Sequence, residues 1–324
     1  MANGGDARSE HVFGNLAMNK LYSTFHICVL CVLSASAPAT VLMHEPFSTA
    51  DYSAGTVKSQ MDNASLSANV GFSADRKWNA SNTGVVFFHA GGLDFGRKMP
   101  GFSGTGLSIG WNYKDNGSNQ GPRGVFRQLA DGVMPQSGTF YFRCLAREAV
   151  GAYWRGNWHR RVGFQQVGFD GDGGHNQQYY NEVFPSTGPH FVFQQTNDMH
   201  TTVLQFRYGD VVEPLVFPVV QGVTYLCVAK IEVQGHANGH DRVSALAVPV
   251  DDWTWDGKDE PVWTFTAGDP GGSLATTQYF PDKFQLYGAY ETGSVPVAFD
   301  EVMLATSIRD VVGPSFLGTI ILVK

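Results

Sequence analysis

The sequence predicts an all-β protein folded as a sandwich of two antiparallel sheets. It is rich in glycine, with 38 among 324 residues, against about 7 % in an average protein. From residue 41 onward, short apolar or alternating runs follow one another, separated by Gly, Asn, Asp and Pro. Helical periodicity is almost absent. Many short strands between turn residues are typical of a sandwich.

The composition excludes several classes of protein. Hydrophobic residues make up 43 % and aromatic residues 13 % of the chain, whereas charged residues are only 16 %. Such a chain has enough apolar material for a core, unlike a disordered segment, and too few charges for a coiled coil. The formal net charge of −7 argues against nucleic acid as the main partner.

The N-terminal residues 1–39 resemble a secretory signal peptide. Lys20 precedes an apolar run over 25–33, and small residues up to Ala39 follow it. A basic segment, a short apolar segment and an Ala-x-Ala site are the elements of such a peptide. The apolar run is shorter than the ~20 residues that a membrane span requires. Cleavage after Ala37 or after Ala39 fits this pattern, and we expect the second, because the first would leave a proline just past the cut. The product would be a secreted chain, extracellular or in the cell envelope, without a transmembrane span. Met18 is an alternative start, which would make 1–17 an extension.

The expected mature chain keeps two cysteines, Cys144 and Cys227, each within a strand-like run. The two-residue period of a strand places each of them on the same face as aromatic neighbours, and therefore towards a core. In an oxidising compartment they would form one disulfide if their Cα atoms lay within ~7 Å. Buried free thiols are the alternative.

The strand pattern continues to the end of one domain. The clearest runs are, in order, 84–89, 106–111, 140–145, 161–164, 190–193, 201–206, 223–233, 242–248, 262–265, 284–287, 297–299 and 302–305. There is no repeat of fixed period and no linker rich in Pro or Ser. We therefore expect a single domain over 40–312, followed by a short apolar tail over 313–324.

Several segments resemble a known family. GVTYLCVAKIE at 222–232 is followed by DRVSAL at 241–246, and AFDEVMLATSIRDV at 298–311 closes the pattern. Together with EPFSTADYSAG at 45–55, they resemble secreted bacterial concanavalin A-like (laminin-G-like) jelly rolls, which often carry a PEP-CTERM sorting tail. Two departures are Cys227, where the family has an aliphatic residue, and a tail without Pro-Glu-Pro.

The resemblance implies a jelly roll of two antiparallel sheets. It implies no activity, because the fold hosts lectins, glycan-binding modules, glycosidases and lyases. In the motif Phe299-Asp300-Glu301, the apolar neighbours are expected to point inward. We expect Asp300 to be structural, its carboxylate binding loop amides or facing solvent.

A loop before one strand carries the candidate ligand-binding residues, which are Trp154, Arg155, Trp158 and His159. Tryptophan offers a flat apolar face for a sugar ring, and arginine donates hydrogen bonds to hydroxyls or carboxylates. The loop predicts a site for an extracellular glycan, and an anionic one would suit its cations. Alternatively, one tryptophan caps the sandwich and the cations are solvated.

Two acidic segments are candidate calcium sites. One contains Asp170 and Asp172, and the other contains Asp252 and Asp256. Calcium prefers clustered carboxylate and carbonyl oxygens, which such loops supply. Ordinary turn chemistry explains the same Asp and Gly content. Calcium is the only cofactor that the sequence suggests.

Catalytic signatures are weak. A jelly-roll glycosidase needs two carboxylates ~5–9.5 Å apart, yet the glutamates of the predicted mature chain occur singly along the strands. The ingredients of a lyase around His175, Gln177 and Tyr179 match no motif. The sequence therefore predicts a secreted, non-catalytic module that binds extracellular carbohydrate or a surface polymer. The alternatives are a structural envelope or matrix protein and a divergent hydrolase or lyase.

Overall fold

The computed structural model describes thirteen stretches of the chain. They are 40–56, 70–73, 79–80, 86–95, 106–111, 123–151, 159–165, 187–195, 202–208, 215–234, 241–267, 283–288 and 297–313. The predicted signal peptide and most of the predicted tail lie outside them. Within these stretches, no helix has the length and apolarity to cross a membrane.

The described residues form sixteen strands and a short helix, α1 (Ile308–Val312). The strands are β1 (Val41–Glu45), β2 (Gly55–Thr56), β3 (Asn79–Ala80), β4 (Val86–His89), β5 (Ser108–Trp111), β6 (Arg123–Gln128), β7 (Gly138–Glu148), β8 (His159–Gln165), β9 (Thr187–Gln195), β10 (Thr202–Arg207), β11 (Leu215–Pro218), β12 (Thr224–Val233), β13 (Arg242–Pro249), β14 (Phe265–Ala267), β15 (Lys283–Gly288) and β16 (Val297–Ala305).

These strands form two antiparallel sheets, as the sequence predicts. The nine-stranded sheet has the order β14-β13-β12-β7-β16-β5-β4-β2, with β1 also paired to β16. The seven-stranded sheet has the order β11-β10-β9-β8-β15-β6-β3. Chain-distant strands are neighbours in both sheets, which is typical of a jelly-roll sandwich.

The predicted runs do not include five of the observed strands, which are β1, β2, β3, β6 and β11. The observed strands differ from the predicted runs in two further places. The last two predicted runs are one strand, β16, whose register shifts between Asp300 and Met303. Such a shift is a β-bulge, which interrupts the alternation of side chains without ending the strand. The run predicted over 262–265 overlaps the observed strand β14 only at its last residue, since β14 spans Phe265–Ala267.

Aromatic side chains from both sheets fill the space between them. Phe142 of β7 contacts Phe164 of β8 and Phe191 of β9, with ring centroids 5.1 Å and 5.6 Å apart. Phe299 of β16 lies 5.8 Å from Phe193 of β9. Each fully buried phenylalanine contributes about 1.5–3 kcal/mol through removal from water. The alternation along the strands therefore determines which face of each sheet meets the core.

A second cluster covers the outer face of the nine-stranded sheet, where α1 packs its Val311 and Val312. Beneath it lies Arg143, which is fully buried. Its Nε donates to the carbonyl of Glu301 at 3.1 Å, and its Nη2 lies 3.4 Å from Oε2 of the same residue. Asp300 accepts hydrogen bonds from the amides of Leu93 and Glu301, at 2.7 Å and 2.8 Å. As predicted, the carboxylate of Asp300 binds a loop amide, that of Leu93.

Candidate functional site

The outer face of the seven-stranded sheet carries a row of polar residues. Phe164, Phe191, Phe206 and Phe284 face the core, so the residues next to them along each strand face the other way. In the strand register, Gln285 pairs with Gly163, Gly163 with His190, and His190 with Arg207. The row therefore crosses four adjacent strands, β15, β8, β9 and β10.

Two arginines of this face are held by glutamine side chains. Nη2 of Arg161 lies 3.5 Å from Oε1 of Gln285. Nη2 of Arg207 donates to Oε1 of Gln194 at 2.7 Å and to Oε1 of Gln205 at 2.8 Å. Amide oxygens orient a guanidinium group without neutralising its charge. The Arg161–Gln285 contact is at the long limit for a hydrogen bond and is the most easily exchanged for a ligand.

His190 presents an unused acceptor between these arginines. Its Nδ1 lies 2.8 Å from the carbonyl of Gly188, so the proton belongs on Nδ1, which donates, and Nε2 keeps its lone pair. The side chain is 2 % exposed, and Nε2 has no hydrogen-bond partner among the described residues. Burial first, and then the charges of Arg161 and Arg207, hold the pKa of His190 well below its usual range. The imidazole is therefore neutral at pH 7.

A glycine makes room for this arrangement. A Cβ atom on Gly163 would lie 2.2 Å from Cβ of His190 and 2.4 Å from the carbonyl oxygen of Pro189. A glycine inside a strand often marks such a close approach of two backbones. The residues around the glycine, which are Arg161, Phe164, His190 and Gln285, close together and leave no room for a water molecule between them.

Most of the predicted ligand-binding loop cannot be compared with this site. Trp154, Arg155 and Trp158 lie outside the described residues. His159 is the first residue of β8, two positions before Arg161, and its backbone pairs with Gln194 of β9. The strand that leaves the loop thus leads directly into the polar face.

Two of the four predicted calcium residues lie within the described stretches. Asp170 and Asp172 lie outside the described residues. Asp252 is exposed at the end of a 3₁₀ turn, Val250–Asp252. Oδ1 of Asp256 accepts a hydrogen bond from the amide of Lys258 at 3.0 Å, as an Asx turn does. Nowhere in the described stretches do three or more His, Cys, Asp or Glu side chains group as metal ligands. Calcium binding stays a prediction.

Cys144 and Cys227 lie directly opposite each other on β7 and β12. Both are completely buried towards the core, as predicted, and both are free thiols in this structure. Burial, followed by the neighbouring Cys144, raises the pKa of the Cys227 thiol well above its usual range. A protonated, buried thiol is unreactive. The strand register places the two cysteines next to each other. Their pairing in a disulfide stays a prediction.

Arg161, His190, Arg207 and Gln285 were not predicted as site residues. The runs 190–193 and 284–287 are predicted as strands, and His190 and Gln285 each stand next to a phenylalanine in them. The two-residue period could have assigned His190 and Gln285 to an outer face. It could not have shown that the two strands flank the same neighbour.

Comparison with known proteins shows similarity to several solved structures. No family model matches the chain, and no curated protein sequence matches it. A carbohydrate esterase of the Shiga toxin-encoding bacteriophage phi24B is 12 % identical, with a TM-score of 0.43, and the match covers 82 % of this chain and 98 % of that one. An alginate lyase solved with an alginate trisaccharide is 11 % identical, with a TM-score of 0.41 and coverages of 81 % and 96 %.

The GH131 β-glucanase catalytic domain of Podospora anserina is 9 % identical, with a TM-score of 0.39. The match covers 71 % of this chain and 88 % of the glucanase domain. Similarities this distant do not decide function, because one sandwich architecture carries many unrelated activities. The function has to be argued from the polar face itself.

Proposed function

We propose that this protein is a secreted, non-catalytic module that binds an anionic carbohydrate polymer across the outer face of its seven-stranded sheet. The observation that carries the proposal is the buried polar row. Arg161 and Arg207 flank the neutral His190, and all three hydrogen-bond neutral amide or carbonyl oxygens. Burial lowers the pKa values of both His190 and Arg207, and clustered polar groups with perturbed pKa values are frequent at functional sites.

The chemistry of the row favours a carboxylate-bearing ligand. A guanidinium group binds a planar carboxylate through two parallel hydrogen bonds, which are about twice as strong as neutral ones. The protein as a whole carries a formal charge of −7 and therefore repels a polyanion at long range. Attraction must come from the local cations. Binding should accordingly weaken as salt is added.

The loop before β8 remains part of the proposal. Trp154, Arg155 and Trp158 come directly before the strand that carries Arg161. A tryptophan there would offer a stacking surface for a sugar ring next to the cations. Substitution Trp158→Ala should then strongly reduce binding.

The experiment measures the binding of purified residues 40–324 to three kinds of ligand, each with calcium and with chelator. The ligands are homopolymeric polyuronates (galacturonate, glucuronate, mannuronate and guluronate), a methyl-esterified polygalacturonate and a neutral glucan. Selective binding of a polyuronate is expected. Loss of binding with chelator would support the proposed calcium sites.

Substitution tests the site assignment. Arg161→Gln should weaken polyuronate binding by about tenfold or more, since hydrogen bonds to charged groups are worth about 1.5–3 kcal/mol. Lys258→Ala is the matched control, because it removes a cation whose side chain is 76 % exposed. Circular dichroism verifies the fold of each variant. Equal binding of the esterified polymer, or unchanged binding by Arg161→Gln and Arg207→Gln, would exclude this site.

A specific observation favours a polysaccharide lyase as the second candidate. Nε2 of His190, which has no hydrogen-bond partner among the described residues, is an acceptor, and the charge of Arg161 acts on the same imidazole. β-Elimination from a uronate needs a group that neutralises the carboxylate and a base that takes the neighbouring carbon-bound proton. The unsaturated product absorbs ultraviolet light, so its accumulation would establish the lyase, provided that His190→Gln abolishes it.

The structural alternative and the location are tested separately. A chain that binds none of these polymers would favour an envelope or matrix protein. Secretion rests on the predicted signal peptide, and N-terminal sequencing of the exported protein should show cleavage after Ala39.

A further inference from the structure

The two cysteines of the core are held at the separation that a disulfide requires. In the register of β7 and β12, Cys144 lies directly opposite Cys227. Opposite residues of an antiparallel pair have Cα atoms about 4.5–5.5 Å apart, and a disulfide joins Cα atoms about 4.4–6.8 Å apart. Both side chains face the core, and the thiol of Cys227 interacts with that of Cys144. The backbone therefore does not have to move for the two sulfurs to bond.

Apolar residues enclose this pair within the sandwich. On the same face of the sheet, the row formed by Phe142 and Ala229 lies on one side of the cysteines, and the row formed by Ala146 and Tyr225 lies on the other. All four are buried, and both cysteines are completely buried. The seven-stranded sheet covers this face of the nine-stranded sheet. A dissolved oxidant or reductant therefore has no access to either sulfur in the folded protein.

The folded state also lacks the reactive form of the thiol. Thiol–disulfide exchange needs a thiolate that can reach the sulfur it attacks. Burial first, and then the neighbouring Cys144, raise the pKa of the Cys227 thiol well above its usual range. The pair can therefore react before the two sheets close over it, or after they separate, but not while they are packed together.

We propose that Cys144 and Cys227 are joined by a disulfide during export, before the core closes, and that the closed sandwich then protects this bond from reduction. The oxidant is a protein or small-molecule disulfide of the oxidising compartment. One cysteine thiolate attacks it, and the second cysteine displaces it from the mixed disulfide. A bond forms between the two Sγ atoms, two protons go to solvent, and the oxidant is reduced to two thiols. From the proposed function this inference takes only secretion, because disulfides persist in oxidising compartments.

The proposal has consequences for folding and for stability. β7 and β12 have to come together while their core face is still open. The two cysteines are 83 positions apart (227 − 144), and a bond that closes so long a loop strongly restricts the unfolded chain. The urea midpoint of the oxidised protein should therefore lie higher than that of the reduced protein, by roughly 1–2 M.

The order in which oxidant is added tests the proposal. Residues 40–324 form a compact unit, and Cys144 and Cys227 are their only cysteines. One sample is reduced and unfolded in urea, and is refolded with glutathione disulfide present. A second sample is refolded with dithiothreitol and is then moved into the same glutathione disulfide buffer. Alkylation in urea and mass spectrometry count the free thiols of each. We expect none in the first sample, without attached glutathione, and two in the second.

A reduction experiment and two variants complete the test. Dithiothreitol should leave the bond of the folded, oxidised protein intact and should break it once urea is added. Cys227→Ala cannot form the bond, so the two orders of addition should give proteins with the same urea midpoint. Cys144→Ala serves the same purpose if the first variant does not fold.

The outcomes separate this inference from the proposed function. Two free thiols after both orders of addition would overturn the disulfide. A bond that forms equally fast in the folded protein, or that dithiothreitol breaks there, would overturn its protection by the core. An exported, full-length protein whose mature chain carries two free thiols would overturn the inference and leave the proposed function intact. Failure of export would overturn the secretion on which both rest, whereas failure to bind a polyuronate would overturn the proposed function alone.

Discussion

Substitution of Gly163 by alanine tests both the packing of the seven-stranded sheet and its polar face. The new Cβ would lie 2.2 Å from Cβ of His190, 2.4 Å from the carbonyl oxygen of Pro189 and 2.5 Å from Cα of His190. Ordinary contacts at such a position are 3.4–4 Å. The neighbouring atoms belong to the backbone or are fixed to it. β8 and β9 must therefore move apart by roughly 1 Å.

The expected loss of stability follows from that movement. Stretching two ladder hydrogen bonds costs about 1 kcal/mol each, and overpacking adds about 1–3 kcal/mol. Alanine also lowers the conformational entropy of the unfolded chain, which stabilises the folded state by about 0.4–1 kcal/mol. The free energy of unfolding should fall by about 2–5 kcal/mol. Urea unfolding of residues 40–324, followed by tryptophan fluorescence, measures it.

Gly132→Ala is the matched control for this substitution. No atom lies within 4 Å of a Cβ built there, and the residue has a φ of +77°. The free energy of unfolding should therefore fall only by the cost of a left-handed backbone conformation at alanine, about 1–2 kcal/mol. A Gly163→Ala variant no less stable than Gly132→Ala would refute the close approach of β8 and β9. A folded Gly163→Ala protein should still bind polyuronate poorly, because the separation of β8 and β9 moves His190 away from Arg161.

Three further changes test other parts of the fold by urea unfolding. Arg143→Met should lower the free energy of unfolding by about 3–5 kcal/mol, because it removes the buried guanidinium that is paired with the buried Glu301; a loss below 1 kcal/mol would contradict that pairing. Ser307→Ala removes the N-cap hydroxyl that accepts a hydrogen bond from the amide of Arg309. The free energy of unfolding should fall by about 1 kcal/mol. Burial, opposed by Arg127, raises the pKa of Glu45 from 4.5 to about 7. The folded state therefore holds this proton more tightly, and stability should fall by on the order of 3 kcal/mol as pH rises from about 4.5 past 7. Glu45→Gln should remove that part of the slope.

The sequence was sufficient for the fold class and for much of the strand pattern. β7, β12 and β13 each contain a predicted run, because alternation of apolar and polar residues over many positions has no helical alternative. The same alternation placed Cys144 and Cys227 towards the core. Strands with little apolar content were missed. β6, for example, reads RGVFRQ, and its pairing with β15 and β3 makes it a strand.

The polar face depends on information that no local pattern contains. Gln285, Gly163, His190 and Arg207 form one row only because β15 pairs with β8, β8 with β9, and β9 with β10. Their segments are separated by up to 122 positions (285 − 163) along the chain. Alternation decides which side chains leave the core, since it depends on the geometry of one strand. Which of them meet is decided by strand order and register. Those are set by packing between distant segments, and only the tertiary structure contains them.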